Sequence, residues 1–304
     1  MSRKKSATAT GVLIINKHEG VTSHRIVSAL RRLYDMSQIG HTGTLDPLAT
    51  GVLPVLLGRA VKAADFLIAE DKCYIAEMKL GVTTDTEDIT GEVLTRCEKL
   101  PTEDDVASCV EKFKGELMQT PPMYSAIRVD GRRLYDIARE GKDVERPPRR
   151  VTIYSLESEK ITDDVYRLTV FCSKGTYIRT LCADIGKALG CGAVMKSLCR
   201  TKSGPFELSE AVTIEELEAM DFEKRLTLPR PVESLFEDIP AVSVNDFCAK
   251  LIKGGTELYQ SKLKTDFAPG TLVRIKHRGE FIALARETEF EGGSALKPVK
   301  LFVL

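Results

Sequence analysis

Between residues 40 and 51 the chain reads Gly40-His41-Thr42-Gly43-Thr44-Leu45-Asp46-Pro47-Leu48-Ala49-Thr50-Gly51, a stretch that restricts what can surround it. Its three glycines allow backbone torsions and close approaches that a Cβ resists, and Pro47 stiffens the chain just after the acid. Asp46 is its one carboxylate, and the apolar run Val52-Leu53-Pro54-Val55-Leu56-Leu57 follows at once. An isolated Asp-Pro reads as an ordinary turn in which the acid caps a backbone N–H. A long run of small residues around a single carboxylate reads instead as a loop that holds the acid and presents it.

The chain has 304 residues, enough for one large domain and a small one, and its 43% hydrophobic content is that of a globular protein rather than a disordered one. No window reaches the roughly 18 apolar residues that a membrane-spanning helix needs, and Met1 to Thr10 has no apolar core of a signal peptide. A cytoplasmic protein is expected. The eight cysteines include no Cys-x-x-Cys pair and several fall in apolar runs, so packed, reduced thiols are expected rather than disulfides or zinc ligands. The formal net charge is zero, yet residues 1–70 hold nine Lys/Arg against five acids and 171–206 six against one, whereas 207–240 hold three against ten. Segregated basic segments suffice to bind phosphates, because that attraction depends on local contacts and not on total charge.

In chain order, residues 11–17 read as a buried strand. Thr22 or Ser23 then caps a helix with Ile26, Val27, Leu30 and Leu33 or Tyr34 on one face and Arg25, Arg31 and Arg32 on the others. Strands are expected at 53–57 and 73–80, and a short helix at 60–67. Asp85, Glu87 and Asp88 lack the calcium-loop spacing and read as hairpin-turn and capping residues. Thr102 opens an acidic helix start, and Gln119 to Ala126 is an extended segment lying against something. Residues 128–150 carry eight Lys/Arg against five acids and read as a flap over a polyanion or a polar insertion. Strands at 151–154 and 166–172 lead to Ser173-Lys174-Gly175-Thr176-Tyr177. A helix follows with Ile178, Leu181, Cys182, Ile185 and Leu189 at helical spacing. Arg179 lies in its first turn, the wrong end for a cation, so it answers a specific anion. A strand at 194–199 has Arg200 and Lys202 near its end. Prolines 229, 231 and 240 mark a boundary near 235–240, and strands at 273–276, 281–284 and 299–304 make a small β-rich module.

The chemical inventory is a carboxylate in a rigid loop, an arginine at a helix start, a tyrosine on a strand and four histidines, with no Walker loop, dinucleotide fingerprint or metal cluster. What remains is chemistry run by a lone carboxylate. An aspartate can attack an electrophilic sugar carbon or a base if it is ionised and aimed, and a nearby arginine does both through paired hydrogen bonds.

Gly40 to Gly51 with Leu53-Pro54 resembles the motif-II loop of pseudouridine synthases, in wording similar to that of the stand-alone bacterial tRNA pseudouridine synthase B (TruB) family. Residues 11–23, Lys72-Cys73-Tyr74, Leu80-Gly81 with Thr84-Asp85-Thr86, 119–126, 131–139, 172–180 and 192–201 look like that family's blocks in its order. The resemblance implies isomerisation of uridine 55 in the T loop of tRNA by base flipping, with no metal or organic cofactor. By it Asp46 is the nucleophile, attacking either the ribose C1′ or the uracil ring. Tyr74 stacks on the target base and takes the C5 proton, and Arg179 pairs with the aspartate. His41 holds the opened loop, and Lys17, Thr44, Lys174, Tyr177 and Arg200 belong to the substrate- and RNA-binding set. The partner implied is tRNA through its T arm and T loop, and a monomer is expected, with no membrane. The implied fold is α+β: a catalytic domain over 1–238 with a mixed, largely antiparallel sheet and flanking helices, carrying the 128–150 insertion. A small β-rich, PUA-like RNA-binding domain follows over 239–304.

The chain departs from the family wording at Asn16-Lys17-His18, at Gln38-Ile39 and at Cys199, positions that bear on RNA contacts and turn rigidity. Two alternatives stand beside this reading. One is a guide-RNA-dependent pseudouridine synthase subunit, against which the Leu48-Ala49-Thr50 wording and the basic insertion speak. The other is a tRNA-binding or tRNA-folding protein whose isomerase activity is secondary.

Overall fold

The computed structural model describes residues 9–68, 70–125, 128–129, 131–134, 137, 140 and 144–303. Its first part is built on β1 (Gly11–Lys17), β2 (Ile39–His41), β3 (Thr50–Leu57), β4 (Lys72–Leu80), β5 (Val82–Thr84), β6 (Val93–Arg96), β7 (Gly115–Gln119), β8 (Arg128–Val129), β9 (Arg132–Arg133), β10 (Arg149–Lys160), β11 (Val165–Cys172), β12 (Ala193–Ser203) and β13 (Phe206–Glu207). The large sheet runs β1-β3-β12-β4-β11-β10-β7, with β2 added to β3 and β13 to β12. It is mixed: β12 lies parallel to β3 and antiparallel to β4. Residues 130, 135–136, 138–139 and 141–143 of the 128–150 segment lie outside the described residues, and with them the reading of that segment as a flap.

The unbroken apolar runs of β1 and β3 are explained by burial on both faces. Leu13, Ile15, Leu53, Val55 and Leu57 point into the main core, while Val12, Ile14, Val52 and Leu56 point into a second one behind the sheet. Helix α1 (Ser23–Leu33) starts where the sequence indicates, with Thr22 as N-cap accepting from the Arg25 N–H at 3.2 Å, and buries Ile26, Val27 and Leu30. The segment after β3 is a 3-10 turn over Gly58–Ala63 that passes into α2 (Ala64–Ile68), not one helix. Helix α3 (Glu103–Glu111) carries a reciprocal capping box between Thr102 and Asp105, the arrangement its acidic start favours. Helix α4 (Ile178–Ala188) packs Ile178, Leu181, Cys182 and Ile185 into the main core. Among the described residues no helix is long and apolar enough to cross a membrane.

The second part is a five-stranded sheet, β14-β16-β17-β18-β15, from β14 (Ala241–Val244), β15 (Leu258–Tyr259), β16 (Leu272–His277), β17 (Glu280–Phe290) and β18 (Gly293–Leu301). Strand β17 continues past the expected 281–284 because its one buried carboxylate, Glu287, is satisfied: Oε2 accepts the Gly270 N–H at 2.8 Å and Oε1 the Ser294 hydroxyl. The final strand begins at Gly293, earlier than expected, and a helix over Asp246–Lys253, capped by Asn245, had no expected counterpart. The two parts share the second core. Phe236 sits edge-on to Phe66 at 5.2 Å and lies 5.8 and 5.9 Å from Phe281 and Phe302.

Gly51 fixes where β3 meets β12. Its φ is +97°, and an added Cβ would fall 2.2 Å from the Arg200 carbonyl oxygen. Gly43, with φ of +71°, also occupies the left-handed region, whereas the nearest atom to a Cβ on Gly40 would be 3.9 Å away. Gly51→Ala therefore lowers stability by about 2–4 kcal/mol, and Gly40→Ala by less than about 1 kcal/mol. Urea unfolding of the two variants checks this; equal midpoints would contradict the close approach at Gly51.

Candidate active site

Asp46 hangs over an open cleft of about 270 Å³ whose floor is the start of β4. Alternation along that strand sends Lys72, Tyr74 and Ala76 to one face, and register places Tyr74 opposite Arg200 on β12 and Val170 on β11. Thr44, Leu45 and Asp46 form one wall; Gly175 to Arg179, at the entrance to α4, form another.

The Asp46 loop is gripped from several directions. The buried Ser23, first residue of α1, accepts the Leu45 N–H at 2.9 Å and donates to the Leu45 carbonyl at 3.1 Å. The Gly20 N–H reaches the Pro47 carbonyl at 2.9 Å, and Nζ of Lys17 donates to the carbonyls of His18, Val21 and Pro47 at 2.9, 2.8 and 3.3 Å. Arg200, 1% exposed, donates from Nε to the Val52 carbonyl at 2.7 Å and from Nη2 to the Gly43 carbonyl at 2.9 Å. Two buried cations thus hold the backbone on either side of Asp46 by donating to its carbonyls.

Arg179 joins four segments. Its Nε lies 2.9 Å from Oδ2 of Asp46, Nη1 donates to the Thr86 carbonyl at 3.0 Å and Nη2 to the Tyr124 carbonyl at 2.8 Å. Asp88 is a second, more distant carboxylate, with Oδ2 4.0 Å from Nη1. The arginine side chain is 5% exposed and that of Asp46 36% exposed, so the cation is desolvated while the acid faces the cleft. The sequence leads one to expect paired hydrogen bonds from Arg179 to Asp46; the guanidinium instead divides itself between the carboxylate and two carbonyls. Asp88 is itself fixed by the Thr86 and Thr90 hydroxyls at 2.9 and 2.6 Å and the Thr90 N–H at 2.9 Å. Glu87, with φ of +62°, accepts the Thr180 hydroxyl of α4 at 2.6 Å. Burial pushes its carboxyl pKa up, against the pull of that hydroxyl and of Arg179. The helix entrance is set by Gln119, which accepts the Tyr177 N–H at 2.8 Å and donates to the Tyr177 carbonyl at 3.0 Å.

Burial pushes the Tyr74 hydroxyl pKa up, with Arg200 beside it pulling the other way. The resting group is a neutral phenol with a guanidinium at hand as counter-charge for a phenolate. His41 lies on β2, outside the cleft lining, its pKa pushed down by burial and then by Arg200 and His24.

Of the residues singled out in the sequence, Asp46, Tyr74, Arg179, Thr44, Tyr177 and Arg200 line one cleft. Lys174 is exposed in the turn beside it. For Lys17 the expected RNA contact is corrected: it has no exposed surface, its three N–H groups are taken by carbonyls, and burial lowers its pKa to about 8. Arg200 is likewise a backbone brace. Lys72, Asp88 and Gln119 carry no site role in the reading of the sequence; the phase of Lys72 with Tyr74 along β4 is the available signal. The Asp85–Asp88 turn was read as capping, which it is, but its packing on Arg179 depends on contacts 91–93 residues away in sequence. No group of three His, Cys, Asp or Glu among the described residues is placed to hold a metal ion.

Comparison with known proteins places this geometry. The model for the N-terminal domain of TruB family pseudouridylate synthase matches residues 31–178, and that for the tRNA pseudouridylate synthase B C-terminal domain matches 179–237. A protein of Francisella philomiragia named tRNA pseudouridine synthase B is 43% identical over 297 residues, 97% of this chain and 95% of its own length. One of the same name from Francisella tularensis subsp. tularensis is 41% identical over 298 residues, again 97% and 95%. Among solved structures, a Cbf5-Nop10-Gar1 complex contains a chain that superposes with a TM-score of 0.71 at 28% identity, covering 97% of this chain and 85% of that one. An H/ACA RNP bound to a substrate RNA containing 2′-deoxyuridine gives 0.69 at 25%, covering 97% and 86%.

Removing a buried guanidinium from this network takes from the Asp46 carboxylate its ion pair and from the Thr86 and Tyr124 carbonyls the N–H groups of Arg179. Arg179→Ala is expected to cost about 3–5 kcal/mol, and Asp46→Asn, at the solvent-facing end, about 1 kcal/mol. Denaturant titration reads both, and a smaller loss for Arg179→Ala than for Asp46→Asn would contradict the assignment of Arg179 as the joint.

Proposed function

The chain belongs to the TruB family of pseudouridylate synthases, and from that premise we propose that it is a tRNA pseudouridine synthase isomerising uridine 55 of the T loop. The single observation that carries the chemical reading is the carboxylate of Asp46, ion-paired at 2.9 Å to a buried arginine and facing a cleft floored by Tyr74. In the reaction the N1–C1′ bond breaks, a C5–C1′ bond forms, and the proton at C5 is given up while N1 gains one. No oxidant, reductant or second substrate is required. Asp46 supplies the nucleophile, either at C1′ or at the uracil ring, and Arg179 fixes its rotamer and balances its charge. Tyr74 carries the flipped base on its ring; its phenol gives its own proton to N1 of the detached uracil and then receives the C5 proton, with Arg200 offsetting the phenolate between the two transfers.

The target nucleotide is inaccessible in a folded T loop, and extruding it costs a few kcal/mol. Stacking on Tyr74 offsets part of that cost, and His41 occupies the space left behind. Lys174, exposed beside the cleft, meets the RNA backbone. The same reading takes residues 1–238 as the catalytic unit and 239–304 as a PUA-like module for the rest of the tRNA, in a protein that acts as a monomer in the cytoplasm. The stand-alone form is favoured over a guide-dependent subunit by the near-complete match to relatives named tRNA pseudouridine synthase B at 41–43% identity, against 25–28% for the chains of the guide-RNA particles.

Asp46→Asn is expected to abolish tritium release from C5-labelled uridine in a T-arm hairpin while hairpin affinity stays within a few-fold; turnover near wild type removes Asp46 from the mechanism. Tyr74→Phe keeps the stacking ring, so binding persists while release slows by about 10²–10⁴-fold. Equal losses of binding and rate in Tyr74→Phe would assign the hydroxyl to binding instead.

A further inference from the structure

Four buried cations surround the Asp46 loop, and they differ in what their N–H groups meet. Lys17 has three carbonyl acceptors, Arg179 has a carboxylate and two carbonyls, and Arg200 is tied to the backbone of Gly43 and Val52. Lys72 has one acceptor among the described residues, the carbonyl of Glu70, and no ion pair. It is 7% exposed, yet it lines the cleft two residues before Tyr74 on the same strand face. A Cβ built on Gly43 would lie 3.8 Å from its Cε and 3.3 Å from Nη1 of Arg200, so the ammonium stem runs beneath the Asp46 loop beside a second cation. Burial, and then Arg200, pull its pKa below the ordinary lysine range. A desolvated ammonium with most of its hydrogens unspent is costly unless a counter-ion arrives.

We propose that Lys72 is a substrate-binding residue whose ammonium receives a phosphodiester oxygen flanking the flipped uridine. This rests on the reading of the cleft as a pseudouridine synthase site. The edges of uracil are neutral, whereas the phosphodiester carries a full negative charge, and a buried full cation is matched best by a full anion. Tyr74 and Asp46 take the base and the reacting carbons, and Lys72 lines the same cleft two residues before Tyr74 on β4. The uridine's own backbone is the anion that must pass there.

The test is equilibrium binding of a T-arm hairpin across a salt series, in the Asp46→Asn background so that the RNA is not converted. Lys72→Met is expected to weaken binding about tenfold at low salt and to reduce the slope of log K against log salt by about one. Lys72→Arg keeps the slope. Hairpins with a neutral methylphosphonate on the 5′ or the 3′ side of the target uridine identify the contact: on the correct one, lysine and methionine proteins bind alike. An unchanged slope, or a Lys72→Met deficit that persists on both neutral hairpins, overturns the proposal. If Lys72→Met does not fold, Lys72→Gln, which keeps a donor for the Glu70 carbonyl, is scored by the same slope. Failure of the wild-type protein to isomerise the unmodified hairpin would instead refute the functional reading.

Discussion

The ion pair between Arg179 and Asp46 is the contact on which the cleft depends. An arginine in the first turn of a helix opposes the helix dipole, and one that is also desolvated is doubly unfavourable unless anions and carbonyls surround it. Here they come from the Asp46 loop, the β5–β6 hairpin tip through Thr86 and Asp88, and the 120–125 segment through the Tyr124 carbonyl. Each of these segments is irregular and poorly fixed by its own sequence. The guanidinium supplies the common partner that fixes all three at once, so the carboxylate is aimed before any substrate arrives. Preorganisation of this kind is what an electrostatic site needs, because charges already in place cost nothing further at the moment of reaction.

The remaining cations extend that logic with different accounts to settle. Lys17 and Arg200 are locked into backbone carbonyls and shape the loop, while Lys72 is held in the floor with capacity to spare. The cleft is therefore lined by the cations Lys72, Arg179 and Arg200 and by the carboxylate of Asp46. Gly51 makes this possible by letting the Arg200 backbone approach to a distance that a side chain would forbid, and Gly43 by a left-handed torsion beside the Arg200 guanidinium.

Much of the fold was legible in the sequence because the relevant forces are local or periodic. The β1 and β3 runs, the Thr22 and Thr102 caps and the apolar face of α4 were all readable from residue type and spacing. So was the presentation of Asp46 by a small-residue loop. Less legible were features set by distant partners. The resemblance sets Lys17 among the RNA contacts, but its burial depends on carbonyls at Val21 and Pro47. The length of β17 depends on a buried glutamate satisfied by Gly270 and Ser294. The second role of Asp88 depends on Arg179 far along the chain, and the bracing of the α4 entrance on a single glutamine, Gln119. A charged side chain carries no local mark of whether it will meet water or a carbonyl.

The most direct measurement is the single-turnover rate of C5 tritium release by Arg179→Lys, with saturating hairpin and with folding confirmed by circular dichroism. An ammonium keeps the charge but cannot reach Asp46, Thr86 and Tyr124 together. A rate lower by about two orders of magnitude or more is expected, with hairpin affinity little changed. A rate within a few-fold of wild type would contradict it.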